Sequence, residues 1–158
     1  MTNDWIKFTK TNQAGYSIVY HEDESRFSLD RSNILGYLNR LLLQNKTFKN
    51  NLSFVGVSPG PRIVTRQNHI QGEAAHSDLL RAFMTSILGY KEIHKTYISH
   101  LGTEGALGFL QPETSTAVFD MRPPNVVLTP EGLVLPIDPI CCALSPAALE
   151  ALLKHVVR

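Results

Sequence analysis

The sequence has only two cysteines, Cys141 and Cys142, and they are adjacent. Adjacent cysteines rarely form a disulfide, because the bridge would strain the peptide bond between them. Both are therefore expected to be reduced thiols in the core. The six histidines show no zinc-type spacing and have no cysteines nearby, so the sequence also lacks a recognisable zinc site.

Long apolar runs and an excess of one charge are missing as well. No segment approaches the roughly 18 apolar residues that a membrane-spanning helix needs, and residues 1–10 lack the apolar run of a signal peptide. Fifteen Lys and Arg against fourteen Asp and Glu leave a net charge of +1, so no long-range field attracts nucleic acid or an anionic membrane. The sequence predicts a cytoplasmic protein without nucleic-acid or membrane partners, which recognises its ligands through local sites.

The length and apolar content of the chain are sufficient for one folded domain. A chain of 158 residues with 43% apolar content can bury about two-thirds of its unfolded surface in a single core. Three segments have the apolar spacing of helices, and short β-like runs lie between them. With no repeat or linker, this mixed order predicts an α+β fold in one domain covering residues 1–158.

The predicted elements follow from local spacing and turn residues. Residues 91–116 are predicted to be irregular loops with one or two short strands. The predicted helices begin near Ser32 (capped by Ser32 or Asp30), at Ser77 (ending at Gly89) and at Ser145. The predicted hairpins pair Trp5–Phe8 with Tyr16–Tyr20, Leu52–Val57 with Arg62–Arg66, and Asn125–Leu128 with Leu133–Ile137.

An acid, an amide and a second acid flank the third predicted hairpin. Hairpin closure brings the start of its first strand beside the end of its second, so Asn125 and Asp138 should be neighbours. Asp120 lies just upstream, in a loop that Pro123 and Pro124 stiffen. Mg²⁺ usually takes one or two oxygen ligands from protein and completes its shell with water and phosphate. The spacing therefore predicts that Asn125 and Asp138 bind magnesium, while Asp120 accepts a proton from an attacking hydroxyl.

The same residues resemble the catalytic loop of protein kinases, which has Asp, a basic residue two positions on, Pro, and Asn at the fifth position. Asp120, Arg122 and Asn125 occur in that order, and Asp138 matches the second metal-binding Asp of that fold. From about Trp5 to Ile140 the chain resembles the serine/threonine/tyrosine kinase-like domain found in polyvalent proteins of phages and mobile elements. The phrases that carry this resemblance are Trp5–Lys10, Tyr37–Asn45, Arg62–Gln67 and Ile137–Ile140.

The resemblance implies a compact protein-kinase-like fold with a truncated N-lobe. Residues 1–66 would form a reduced N-lobe, 67–72 the hinge and 73–158 a reduced C-lobe. The implied cofactors are Mg²⁺ and ATP, and the helix near Ser32 would link the lobes. The implied site residues are Asp120 and Arg122 for catalysis, Lys7 for the nucleotide phosphates, Gln67, Asn68, His69 and Ile70 for the adenine, and Asn125 and Asp138 for the metal.

Two departures from the kinase pattern affect the functional prediction. Only six residues precede Lys7, so either the glycine-rich lid is absent or the natural start lies upstream of Met1. No Glu occurs between Arg31 and Asn50 to pair with the lysine, unless an acid of residues 21–24 substitutes. Two functions stay open: phosphate transfer to a protein hydroxyl, and a catalytically inactive module that binds a protein partner.

Overall fold

The computed structural model describes residues 4–10, 13–101 and 103–157, which form a mixed α+β fold. The α-helices of this part are α1 (Ile34–Phe48), α2 (Ser77–Ala82, continued by a π-helical turn over Phe83–Ile87), α3 (Lys95–Ser99) and α4 (Pro146–Leu153). Its strands are β1 (Asp4–Phe8), β2 (Tyr16–His21), β3 (Arg26–Arg31), β4 (Ser53–Ser58), β5 (Arg62–Asn68), β6 (Glu73–Ala74), β7 (Lys91–Glu92), β8 (Leu107–Gln111), β9 (Thr116–Met121), β10 (Val126–Leu128), β11 (Val134–Pro136) and β12 (Ile140–Ala143).

The N-terminal part contains an antiparallel sheet in the order β1-β5-β4. The predicted hairpin of β4 and β5 is confirmed. The predicted pairing of β1 with β2 is wrong, because β1 pairs with β5 and β2 pairs with β3. A tight turn explains the choice: Ser25 adopts a φ of 48° and its N–H donates to the Glu22 carbonyl, so β3 is the nearer partner of β2.

Helix α1 lies against β2 and β12. Its N-cap is Asn33, whose Oδ1 accepts a hydrogen bond of 2.7 Å from the Gly36 N–H. The predicted caps, Ser32 and Asp30, are therefore wrong by one and three residues. The predicted helix itself is confirmed, and it buries Tyr37, Leu41, Gln44 and Phe48.

The second large sheet has the order β12-β9-β8-β7. Residues 91–116 are more regular than predicted, because they contain β7, α3 and β8. Helix α3 has five residues, which is too short to show a helical period in sequence. The other predicted helices are confirmed: Ser145 caps α4, and Gly89 ends the second helix with a φ of 70°. Cys141 is a buried free thiol on β12, and Cys142 beside it is also free.

Strand β9 is the centre of the core. Val118 and Met121 belong to one buried cluster, and Ala117 and Phe119 to a second cluster on the other face. All four side chains are fully buried. The strand is thus fixed from both sides immediately around Asp120.

No described helix reaches both the length and the mean hydropathy that crossing a bilayer would require.

The segment after β5 enters a third sheet, β11-β10-β6, and Gly72 makes this entry possible. A Cβ atom at Gly72 would lie 2.2 Å from the Leu128 carbonyl oxygen and 2.5 Å from Val127 Cγ1. We expect Gly72→Ala to lower the free energy of unfolding by about 1–3 kcal/mol, because the backbone of β10 must move. Urea denaturation measures this loss.

Gly56→Ala is the matched control for this prediction. Gly56 has a φ of 159°, against 158° at Gly72, but a Cβ atom there would meet nothing within 4 Å. Any backbone penalty is common to the two variants, so their difference isolates the steric clash. Equal losses of stability in both variants would contradict the prediction.

Candidate functional site

Asp120 and Asn125 are in direct contact. Asn125 Nδ2 donates hydrogen bonds to the Asp120 backbone carbonyl at 2.9 Å and to Asp120 Oδ2 at 3.0 Å. Asn125 ends a short 3₁₀ turn over Pro123–Asn125. Asp120 lies within β9 and not in a loop as predicted, and its φ of 55° turns the end of the strand toward Asn125. Asp and Asn are among the residue types that tolerate this left-handed conformation best.

Arg122 forms an ion pair with the Asp120 carboxylate. Arg122 Nε lies 3.1 Å from Asp120 Oδ1, and the Asp120 side chain is 19% exposed. Burial raises the pKa of the Asp120 carboxyl above its ordinary value, and the Arg122 charge and the Asn125 hydrogen bond partly oppose this rise. A carboxyl whose pKa is raised is a better proton acceptor at neutral pH than an ordinary one.

The predicted closeness of Asn125 and Asp138 is confirmed. Strands β10 and β11 form the expected hairpin, with Val126 opposite Pro136. One residue further out, the Ile137 N–H donates to the Asn125 carbonyl at 2.8 Å. The Asp138 charge also contributes to the raised pKa of Asp120, after the larger effect of burial.

The Lys7 side chain, on β1, reaches the segment that contains Asp138. Its Nζ lies 3.5 Å from the Ile137 carbonyl oxygen, at the outer limit of a hydrogen bond. Lys7 stands opposite Thr65 in the sheet and is half-buried. The lysine is therefore next to the backbone that precedes Asp138.

Helix α1 holds the same segment with side chains that sequence reasoning missed. Arg40 Nη2 lies 3.5 Å from Asp138 Oδ1, and Gln44 Nε2 donates to the Ile137 carbonyl at 3.3 Å. Asn50, just beyond the helix, donates to the Pro136 carbonyl. A signal for Gln44 existed in the sequence, because it shares the apolar stripe of the helix and a polar residue in such a stripe needs a buried partner.

The helix thus presents Arg40 and Gln44 to this segment, and its sequence contains no glutamate. The acids of residues 21–24 do not replace it: among the described residues none of them forms an ion pair with Lys7. Glu24 instead pairs with Arg26 across the β2–β3 turn. Lys7 is left with a backbone carbonyl as its neighbour, and Asp138 with an arginine.

The predicted hinge residues are Gln67, Asn68, His69 and Ile70. Gln67 is buried in β5, and neither of its amide atoms has a hydrogen-bond partner in the described part of the chain. Asn68 is exposed and pairs with Asp4 in the sheet, and the His69 ring lies 4.9 Å from the Trp5 ring. Ile70 is half-buried. No hydrogen bond joins these four residues to Asp120, Asn125 or Asp138 within the described ranges.

The oxygen donors suit a hard cation held by two protein ligands. Because Asn125 Nδ2 is used by Asp120, Asn125 Oδ1 is left for a ligand, and Asp138, which is 60% exposed, has only Oδ1 near Arg40. Within residues 4–10, 13–101 and 103–157 no three His, Cys, Asp or Glu side chains gather as a metal site. A pair such as Asn125 and Asp138 fits magnesium only when water and phosphate supply the other ligands.

Comparisons of the chain with known protein families, with curated proteins and with solved structures each found no match.

Proposed function

We propose that the chain is a kinase-like domain that binds Mg-ATP and transfers phosphate to a protein hydroxyl. The supporting observation concerns Lys7, Asp120, Asn125 and Asp138. Asn125 donates to the Asp120 carboxylate, and Lys7 Nζ and the Asn125 carbonyl both lie beside the backbone of the residue that precedes Asp138. Three of these four residues stand at the offsets of the kinase catalytic and metal-binding positions, and a lysine on a strand completes the set.

Each residue has a distinct role in this proposal. Asn125 and Asp138 would hold Mg²⁺, which when bound neutralises charge on the phosphate oxygens. Lys7 supplies a further positive charge for the phosphates. Asp120, whose pKa is raised by burial, orients the acceptor hydroxyl and takes its proton, and Arg122 holds the Asp120 carboxylate in place.

Binding of Mg-ATP should raise the melting temperature of the protein. A ligand that binds only the native state stabilises it by about 2.7 kcal/mol at a hundred times its Kd, which corresponds to roughly 5–10 °C for a domain of this size. Asp138→Asn should abolish most of this shift, because it removes the carboxylate ligand of the metal. Differential scanning fluorimetry with ATP, with and without Mg²⁺, measures the effect.

Glu150→Gln is the control, since Glu150 is an exposed carboxylate on α4 outside the site. Its Mg-ATP shift should equal that of the unmodified protein. The proposal fails if millimolar Mg-ATP produces no shift, or if Asp138→Asn keeps the full shift.

A catalytically inactive module that binds a protein partner is the second candidate. The Arg40–Asp138 pair favours it, because an arginine already neutralises the carboxylate that the metal would need. The N-terminal sheet also leaves apolar side chains open to contact with a partner: Trp5, Ile6, Phe8, Phe54, Val55 and Val57 are exposed. Absence of phosphate transfer with Mg²⁺ or Mn²⁺ would support this candidate over the first.

A further inference from the structure

A cavity lies beside helix α1. Its volume is about 500 Å³, and it lies between α1, β2 and β12. Such a volume is in the range of small-molecule sites, which extends from about 300 to about 1,000 Å³. Of the residues that line it, only Arg40 also contacts the candidate nucleotide site.

The lining of this cavity is cationic and polar at one end and apolar elsewhere. Arg40 and Lys46 supply two positive charges, and Ser17 and Asn39 supply neutral polar groups. Leu43 and Cys141 belong to the apolar wall. Burial raises the pKa of the Cys141 thiol, which keeps it neutral. No Asp or Glu lines the cavity within the described part of the chain, and Lys46 forms no ion pair there, whereas Arg40 also lies 3.5 Å from Asp138 Oδ1.

Arg40 is held rigidly against this cavity. Its side chain is 10% exposed, and Nη1 donates to the Tyr16 carbonyl at 3.0 Å. The guanidinium carbon lies 5.1 Å from the centre of the Tyr37 ring, within the range of a cation–π contact. Arg40 Nε is buried and has no hydrogen-bond partner among the described residues. A buried donor without a partner costs about 1–3 kcal/mol.

We propose that this cavity binds a small organic anion. The carboxylate or phosphate of the ligand contacts Arg40 and Lys46, and its hydrocarbon part packs against Leu43 and Cys141. Guanidinium groups suit both kinds of anion, because their planar N–H donors match carboxylate and phosphate oxygens. The inference goes beyond the nucleotide site and does not require ATP to bind.

Titration followed by ¹H–¹⁵N NMR spectroscopy tests this site with three defined probes: hexanoate, phenyl phosphate and the neutral hexanamide. We expect at least one of the two anions to shift the amide signals of Ser17, Gly36, Asn39 and Ala143, with hexanamide about tenfold weaker. The tighter of the two anions identifies the preferred headgroup. Equal binding of hexanamide and the anions, or shifts confined to other parts of the chain, would overturn the proposal.

Two variants confirm the location of the anion. Lys46 is an exposed residue, so Lys46→Gln should leave the fold intact and weaken the preferred anion about fivefold to tenfold. Lys91→Gln removes the same charge from the exposed surface of β7 and should leave the affinity unchanged. If Lys46→Gln and Lys91→Gln have the same effect, the anion is held by the general charge of the protein and the cavity is not its site.

Discussion

Phe119→Ala should lower the free energy of unfolding by about 3–5 kcal/mol. Phe119 is fully buried and packs in one cluster with Ile98, Leu110 and Leu152. Its strand, β9, is paired on both edges, so the surrounding elements cannot easily close the cavity that the substitution leaves. Urea denaturation followed by circular dichroism measures the loss.

The control for this substitution is Ile87→Ala. Ile87 is 73% exposed, so the same kind of truncation should change stability by no more than about 0.5 kcal/mol. A loss at Phe119 as small as that at Ile87 would mean that the core described here is not the one that stabilises the protein. Because Phe119 directly precedes Asp120, the same packing also fixes the position of the carboxylate.

The features that the sequence predicted correctly are local ones. Helices α1 and α4 and the hairpins of β4–β5 and β10–β11 depend on spacing and turn residues within short segments. The closeness of Asn125 to the Ile137–Asp138 backbone follows from hairpin geometry alone. Each of these inferences needs no knowledge of distant parts of the chain.

Other features that the sequence missed depend on long-range pairing, unlike the local β2–β3 hairpin and helix α3. Strand β1 pairs with β5, which lies more than fifty residues further along, and β12 pairs with β9. Alternating apolar residues show that a strand exists and which face is buried, but they do not specify its partner. The roles of Arg40 and Gln44 depend on the same tertiary arrangement, because their partners lie near Asp138 in the C-terminal third.

The charges of the site favour an anionic ligand. Lys7, Arg40 and Arg122 supply three positive charges around the two carboxylates of Asp120 and Asp138. The excess of one positive charge would attract the phosphate of the proposed nucleotide even without a metal. Arg40 belongs both to this cluster and to the cavity beside α1. An anion bound in that cavity would compete with Asp138 for Arg40, so the two proposed sites are linked through one side chain.

Asp120→Asn should lower phosphate transfer by about 10²–10⁴-fold if the domain is active, because the amide cannot accept the proton of the attacking hydroxyl. The substitution keeps the shape of the side chain, and Asn tolerates a φ of 55° as well as Asp does. Transfer of labelled phosphate from Mg-ATP to the protein itself or to a hydroxyl-bearing test protein measures the rate. Equal rates in both proteins would exclude Asp120 as the base, and no transfer by the unmodified protein would favour the inactive module.

The stability of the same variant separates lost catalysis from lost folding. Burial raises the pKa of folded Asp120, so its contribution to stability is fully present below the ordinary carboxyl pKa and is lost as the pH rises through the folded pKa. Asn does not titrate, so the variant does not lose stability in this way as the pH rises. The unfolding free energy of the variant minus that of the unmodified protein should therefore become more positive as the pH rises from about 4 toward neutrality. Denaturation at several pH values measures this difference, and a difference that changes in the opposite direction would mean that the carboxylate stabilises the fold.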